Sequence, residues 1–448
     1  MQALERSDAT IAVAFGSVPV VARRRTALRP ILVALAVALA LSVGLGGPRA
    51  REPAPSSGRE NGAIDGLWYW RLPDTPNGLR PNQSWSGAGV APNGDVYVGG
   101  MDHETNAALY RLRYGRLRYV GDARAASEAA GNWLEGEVAE KFHTHPTWYR
   151  GRLYVATQNS RGHNEDYLEK RGFKWYAYQA RANRFRDLSA QEPGGTGLPH
   201  GGLITLAVDR GNALLYGAVH PTGELVRYDV MTGTTEPLGR PDYGRPYVYP
   251  GRMMWVDSRG RLYFSAGNDE YAGYGAPYDP ALFNHIRFYD PVTGFGEMPG
   301  WLLHDQRAID SGECFPEDGV CYLCDNVGHV YRFDEAGPAW DYLGSIGDVR
   351  ASPFDFVWVF HVRPDQTTAY LMNNSGLLFE FDLASGESRL VADLSTLDPL
   401  FEGHSILFGA AAWSRGRFFF TVFDGAASDA VFLTAIDPLR LKHALESR

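Results

Sequence analysis

Val320-Cys321-Tyr322-Leu323-Cys324-Asp325-Asn326-Val327-Gly328-His329-Val330-Tyr331-Arg332-Phe333-Asp334 reads as two short strands around a turn. Its first half is one copy of a recurring apolar unit. The other copies are Asp95–Gly99, Arg152–Ala156, Ala213–Gly217, Arg261–Ser265, Ala369–Asn373 and Arg417–Thr421, which makes seven, spaced roughly 45 to 60 residues apart. Its second half is an alternating strand that ends in Asp and leads into a Gly-containing turn. The same pattern occurs at Leu225–Asp229, Ile286–Asp290 and Leu378–Asp382, with Gly233, Gly294, Gly337 and Gly386 following the four copies. These Asp residues are expected to accept hydrogen bonds from turn amides, a structural role.

Self-similarity at a fixed period marks a repeat architecture. About four short strands with turn signals in each period make a propeller blade. The sequence therefore predicts an all-β fold, a seven-bladed β-propeller over residues 66–437. Innermost strands are expected to begin near Gly87, Thr144, Leu203, Arg252, Ser311, Val357 and Phe408. The last blade lacks a fourth strand, because the chain after Ala435-Ile436-Asp437 turns polar; residues 438–448 read as a tail. Gly66–Leu72 is a strand without a blade, and pairing it with the last blade would close the ring and remove an exposed edge.

Composition fits this reading. The chain has 448 residues, 44% of them apolar and 13% aromatic, enough for a large core. Its 51 glycines suit many tight turns. The net charge of -9 and the lack of a dense basic patch beyond the N-terminus argue against nucleic acid as a partner. Arg23, Arg24, Arg25 and Arg29, within a basic segment 1–29, precede an uncharged apolar stretch at 30–47. That stretch is about long enough to span a bilayer at roughly 1.5 Å per residue. The positive flank places its N-terminal side in the cytoplasm. It reads as a cleaved signal peptide or a retained anchor helix, with a buried soluble helix as the third possibility. The rest of the chain is then expected in the periplasm or outside the cell, held at the cytoplasmic membrane if the segment is uncleaved. Residues 48–65 read as a linker. Cys314 and Cys321 face each other if the hairpin turns at Glu317-Asp318; they form a disulfide or remain thiols, and Cys324 is left over.

In a propeller, the loops entering the inner strands and those between second and third strands share one face around the channel. Histidines gather at these positions: His143, His145, His200 and His404 before inner strands, and His220 in a second-to-third-strand loop. Asn268, Asp325 and several other polar residues occupy equivalent places. Each His alone could simply bond backbone between blades. Together, imidazoles from separate blades could hold a divalent metal, Mg, Mn or Ca, with positions left open for substrate. An insertion at 268–284 adds Tyr271 and Tyr274, which could stack on a sugar or another rigid ligand or pack the loop onto the rim.

With these features the chain resembles bacterial seven-bladed propellers of the streptogramin B lyase and oligogalacturonate lyase type. The resemblance runs over roughly Gly66 to Asp437 in architecture and His placement, with His143-Thr144-His145-Pro146 as a local phrase. It implies a metal-dependent elimination. His145, His200, His220 and His404 would hold the metal, which would polarise a substrate carboxylate or carbonyl. His143 would take the proton, Arg252 would balance carboxylate charge, and Asn268, Tyr271, Tyr274 and Asp325 would contact a small-molecule or oligosaccharide substrate. The competing expectation is a non-catalytic binding or scaffold propeller attached to a membrane protein complex. A quinone-dependent dehydrogenase is weaker, because the regular Trp-docking repeat is missing. No Cys-x-x-Cys-His, Walker A or Gly-x-Ser-x-Gly motif occurs.

Overall fold

The structure is a computed structural model. It describes residues 56–448 apart from 103, 160–165, 245, 268–284, 305–307, 338, 348–354, 404 and 424–428, and the side chains of 166, 167 and 302. Seven antiparallel blades follow one another along the chain; the inner strands of the last two also pair in parallel, Val359↔Gly409 and Phe360↔Ala410, which joins those blades into one sheet. Their inner strands are Ala88–Val90, Thr147–Tyr149, Gly202–Asp209, Met254–Val256, Ile309–Phe315, Val357–Val362 and Ile406–Ala410. Each expected start lies within about three residues of its strand. The seven repeated apolar units are the second strands, the most deeply buried; Val96–Met101 and Val320–Asp325 are buried at every position.

Seven apolar clusters fill the seven gaps between neighbouring blades. Each second strand is buried on both faces because each face meets a different neighbouring blade. Hydrogen bonds also cross the gaps: Ile309 N donates to Ser265 Oγ at 3.0 Å, Leu407 N to Asn374 Oδ1 at 3.1 Å, and Ser414 Oγ to Gly94 O at 3.1 Å. Gly89 marks the tightest approach between neighbouring blades among the described glycines. A Cβ there would sit 1.8 Å from Pro146 O of the next blade, so no side chain fits.

The ring closes as expected. Leu67–Arg71 pairs antiparallel with Phe432–Ile436, in register Leu67↔Ile436 through Arg71↔Phe432, and supplies the fourth strand of blade seven. Trp68 and Trp70 are buried by this pairing. The third-strand Asp residues serve the turns: Asp229, Asp290 and Asp382 each accept two amide N–H bonds from the residues two and three ahead.

Two segments differ from expectation. Within the linker, Ser56–Ser57 pairs with blade one and Glu60–Asn61 pairs with the closing strand, extending both sheets outward. The C-terminal tail is an α-helix, Pro438–Glu446, whose Asp437 side chain caps Arg440 N. Leu441 is fully buried and lies against Gly66 at the start of the closing strand. The Asp-Pro start was a legible helix signal; the surrounding charged residues concealed the short apolar stripe of Pro438, Leu441, Ala444 and Leu445 that docks the helix. Cys314 and Cys321 pair directly across their hairpin and form a disulfide, while Cys324 is a buried free thiol. Among the described residues no helix is long and apolar enough to cross a membrane; the segment 30–47 lies outside them.

Candidate functional site

The channel has two chemically different ends. At the loop-bearing end, residues that enter the inner strands converge on Trp85. Lys141 lies with its ammonium 6.0 Å from the Trp85 ring centre, and the Arg252 guanidinium is 5.2 Å from the same centre. The His143 ring stacks parallel to Trp85 at 6.4 Å. Arg252 is enclosed by aromatic rings, with Trp358 at 4.7 Å, Phe408 at 5.0 Å and Tyr249 at 6.0 Å. This cation–π setting replaces water around the guanidinium. Asp310 ties the layer together, accepting from Arg252 N at 3.3 Å and from Trp358 Nε1 at 3.3 Å.

Lys141, His143 and Arg252 are only 7%, 2% and 3% exposed. Burial first, and the Arg252 charge second, push the Lys141 ammonium down to about 7 and His143 well below the ordinary histidine range. Burial raises the Asp310 carboxyl, against the pull of Arg252. The three bases thus form a buried layer in which burial and the Arg252 charge keep His143 neutral and weaken the Lys141 ammonium.

The sequence-named residues distribute unevenly around this layer. His143 bonds Ile204 O through Nδ1 at 3.2 Å and approaches Tyr249 Oη at 3.4 Å through Nε2. His220 is fully buried and meets the other side of Tyr249 edge-on, 5.2 Å between centres. His145 points away from both. It stacks on Phe408 at 5.6 Å and lines the cavity at the other end of the channel. Burial holds it down to about 4, a neutral imidazole. His200 is exposed and its Nδ1 lies 2.8 Å from Lys170 O, away from the channel layer. His145, His200 and His220 therefore do not gather as a ligand set, because three different packing environments claim them. Among the described residues no three His, Cys, Asp or Glu side chains are disposed to share a metal ion.

Asp325 serves its own blade rather than a substrate. Oδ1 accepts from Val327 N and His329 N, and Oδ2 accepts from His329 Nδ1 at 2.8 Å and Tyr331 Oη at 3.2 Å. Arg252 is a buried guanidinium among aromatic rings, which corrects its expected place on the rim. His404, Asn268, Tyr271 and Tyr274 lie outside the described residues.

The other end of the channel, where the hairpin turns lie, opens into a cavity of about 1070 Å³. Strand ends from six blades line it, at residues 88–94, 145–148, 206–211, 253–258, 312–316 with 335, and 410–415. Most of its wall is apolar or small, including Leu206, Met253, Met254 and Ala410. Glu313 is the carboxylate of the inner wall. Its Oε2 accepts from Val362 N at 2.9 Å across the gap to blade six. Burial in the cavity wall pushes this carboxyl up to about 7. Sequence reading missed Lys141 and Glu313. Alternation places Lys141 on the side of His143, and Glu313 is a charge inside the inner strand Ile309–Phe315; both signals were present.

No protein-family model matches this chain, and no curated protein matches it. Among solved structures it is similar to one described as the RRP9 WD40 repeats, at 12% identity and a TM-score of 0.47, covering 84% of this chain and 99% of that one. It is also similar to the structure of U3-55K, at 13% identity and a TM-score of 0.47, covering 80% and 97%.

Proposed function

We propose that this chain is an exported binding propeller, not an enzyme, that takes a ligand into the hairpin-turn end of its channel. One observation carries the reading: a cavity of about 1070 Å³ framed by strand ends from six blades. Small-molecule sites have typical volumes of about 300–1,000 Å³ and mostly apolar walls with a few polar groups. A rigid ring suits such a role, because the wall is preformed and binding costs little ordering. Export rests on the basic segment and apolar stretch that precede residue 48.

Protein-observed NMR of the tryptophan indoles of the full chain, titrated with small aromatic probes that are cationic, neutral or anionic, tests it. The expected result is saturable binding that shifts the indole signals of Trp148 and Trp413, both on the cavity wall. Probes that leave both indoles unmoved would remove the support for this site. The elimination reading instead needs His145, His200 and His220 on one metal. A stoichiometric divalent metal, lost to chelator together with turnover, would put that reading in place of this one.

A further inference from the structure

We infer that the cavity takes a small organic amine, its ammonium group pairing with the Glu313 carboxylate and its apolar body lying against Met253, Met254 and Leu206. This deepens the binding reading above and rests on it.

Glu313 stands on the inner strand of blade five, in the sequence Ile-Asp-Ser-Gly-Glu-Cys-Phe. Among the described residues no Lys or Arg side chain forms an ion pair with it, and its one hydrogen bond is the Val362 N–H. A carboxylate placed in a largely apolar cavity without a cation is costly. Its raised proton affinity, from burial, expresses that cost. A cation arriving in the cavity would relieve it. The wider wall has the same sign: the carboxylates of Asp209, Asp257, Glu313 and Glu335 stand against the guanidiniums of Arg210 and Arg415. Three of those four carboxylates already hold turn amides: Asp209 takes Asn212 N, Asp257 takes Arg261 N and Glu335 takes Ser258 N. Glu313 is the one on the inner wall.

The geometry also selects the kind of cation. Oε2 already accepts the Val362 N–H, and Oε1 has no hydrogen-bond partner among the described residues. A guanidinium favours a fork on both carboxylate oxygens, whereas an ammonium is a point donor. A bare divalent ion prefers six or more oxygens, and Glu313 offers one.

The test compares 2-phenylethylamine, 2-phenylethanol and phenylacetate on the full chain, read by the Trp148 and Trp413 indole shifts. The amine is expected to bind at least tenfold tighter than the alcohol, and phenylacetate weaker still. Glu313→Gln, which keeps an acceptor for Val362 N, is expected to bring amine and alcohol to parity. Equal affinity of amine and alcohol, or an amine preference that survives Glu313→Gln, overturns the inference and leaves the cavity as a binding site. No binding by any of the three overturns both. A lysine-containing tripeptide that binds more than tenfold tighter than the amine would also overturn it, because the occupant would then be a polypeptide.

Discussion

Lys141 shares the Trp85 ring with Arg252, and the fold keeps both out of water. An ammonium so placed is tolerated best when neutral. Its pKa falls from the ordinary lysine value to about 7 in the folded chain. Between those values the unfolded chain holds the extra proton, so stability rises with pH from about 7 to 10 and is lost as pH falls back through 7. Lys141→Met removes the charge and keeps the length. It is expected to be more stable than the wild type at pH 6–7, by on the order of 2 kcal/mol, with the difference closing toward pH 10. Thermal melts at several pH values check this; equal curves at every pH would show that Lys141 is already compensated. His143 and His145 act in the same direction at lower pH. Both are depressed, so the stability they favour is present above about pH 6.5 and fades on acidification.

The hairpin of blade five is short, and its two cysteines are seven residues apart. A cross-link over so few residues restricts the unfolded chain modestly, by about 2–3 kcal/mol. The double substitution Cys314→Ser/Cys321→Ser is expected to lower stability by about that amount while leaving the propeller folded, because the pairing Phe315↔Val320 and the clusters on either side remain. Denaturant midpoints of wild type and variant measure it; complete unfolding of the variant would show a larger role. The turn Asp residues were readable at this scale, since each precedes a glycine by three or four positions and accepts the amides of its own turn. Helix Pro438–Glu446 was not read, because its apolar positions Pro438, Leu441, Ala444 and Leu445 span little more than two turns, too few to show a period among the charged residues between them.

Ring closure is a property of the whole molecule. A chain that begins at Ser56 keeps Leu67–Arg71. One that begins at Pro73 loses that strand, exposes the edge of Phe432–Ile436 and uncovers the apolar surface now facing Trp68 and Trp70. Removing several buried aromatics together exceeds the usual net stability of about 5–15 kcal/mol. The shorter chain is expected to lose its near-ultraviolet circular dichroism and to aggregate through the free edge. The chain from Ser56 is expected to melt as one cooperative unit. A soluble, natively folded chain from Pro73 would show that six complete blades and a three-stranded seventh suffice.

The sequence by itself determined the repeat, the number of blades and the closing strand. These depend on alternation and turn residues, which are local and recur seven times. It also put His143, His145, His220 and Arg252 near the inner strands, because position within a repeat fixes how far a residue lies from the ring axis. Which side chains then meet was decided only by the tertiary structure. His143 and His145 are two residues apart, yet one bonds toward blade three and Tyr249 while the other stacks on Phe408 and lines the opposite cavity. Asp325 became a blade-internal acceptor, Arg252 a guanidinium inside an aromatic cage, and Glu313 a cavity-wall carboxylate with no ion pair among the described residues. Those outcomes depend on contacts between residues from separate blades, and a repeat pattern carries no information about the pairs that its repeats make with one another.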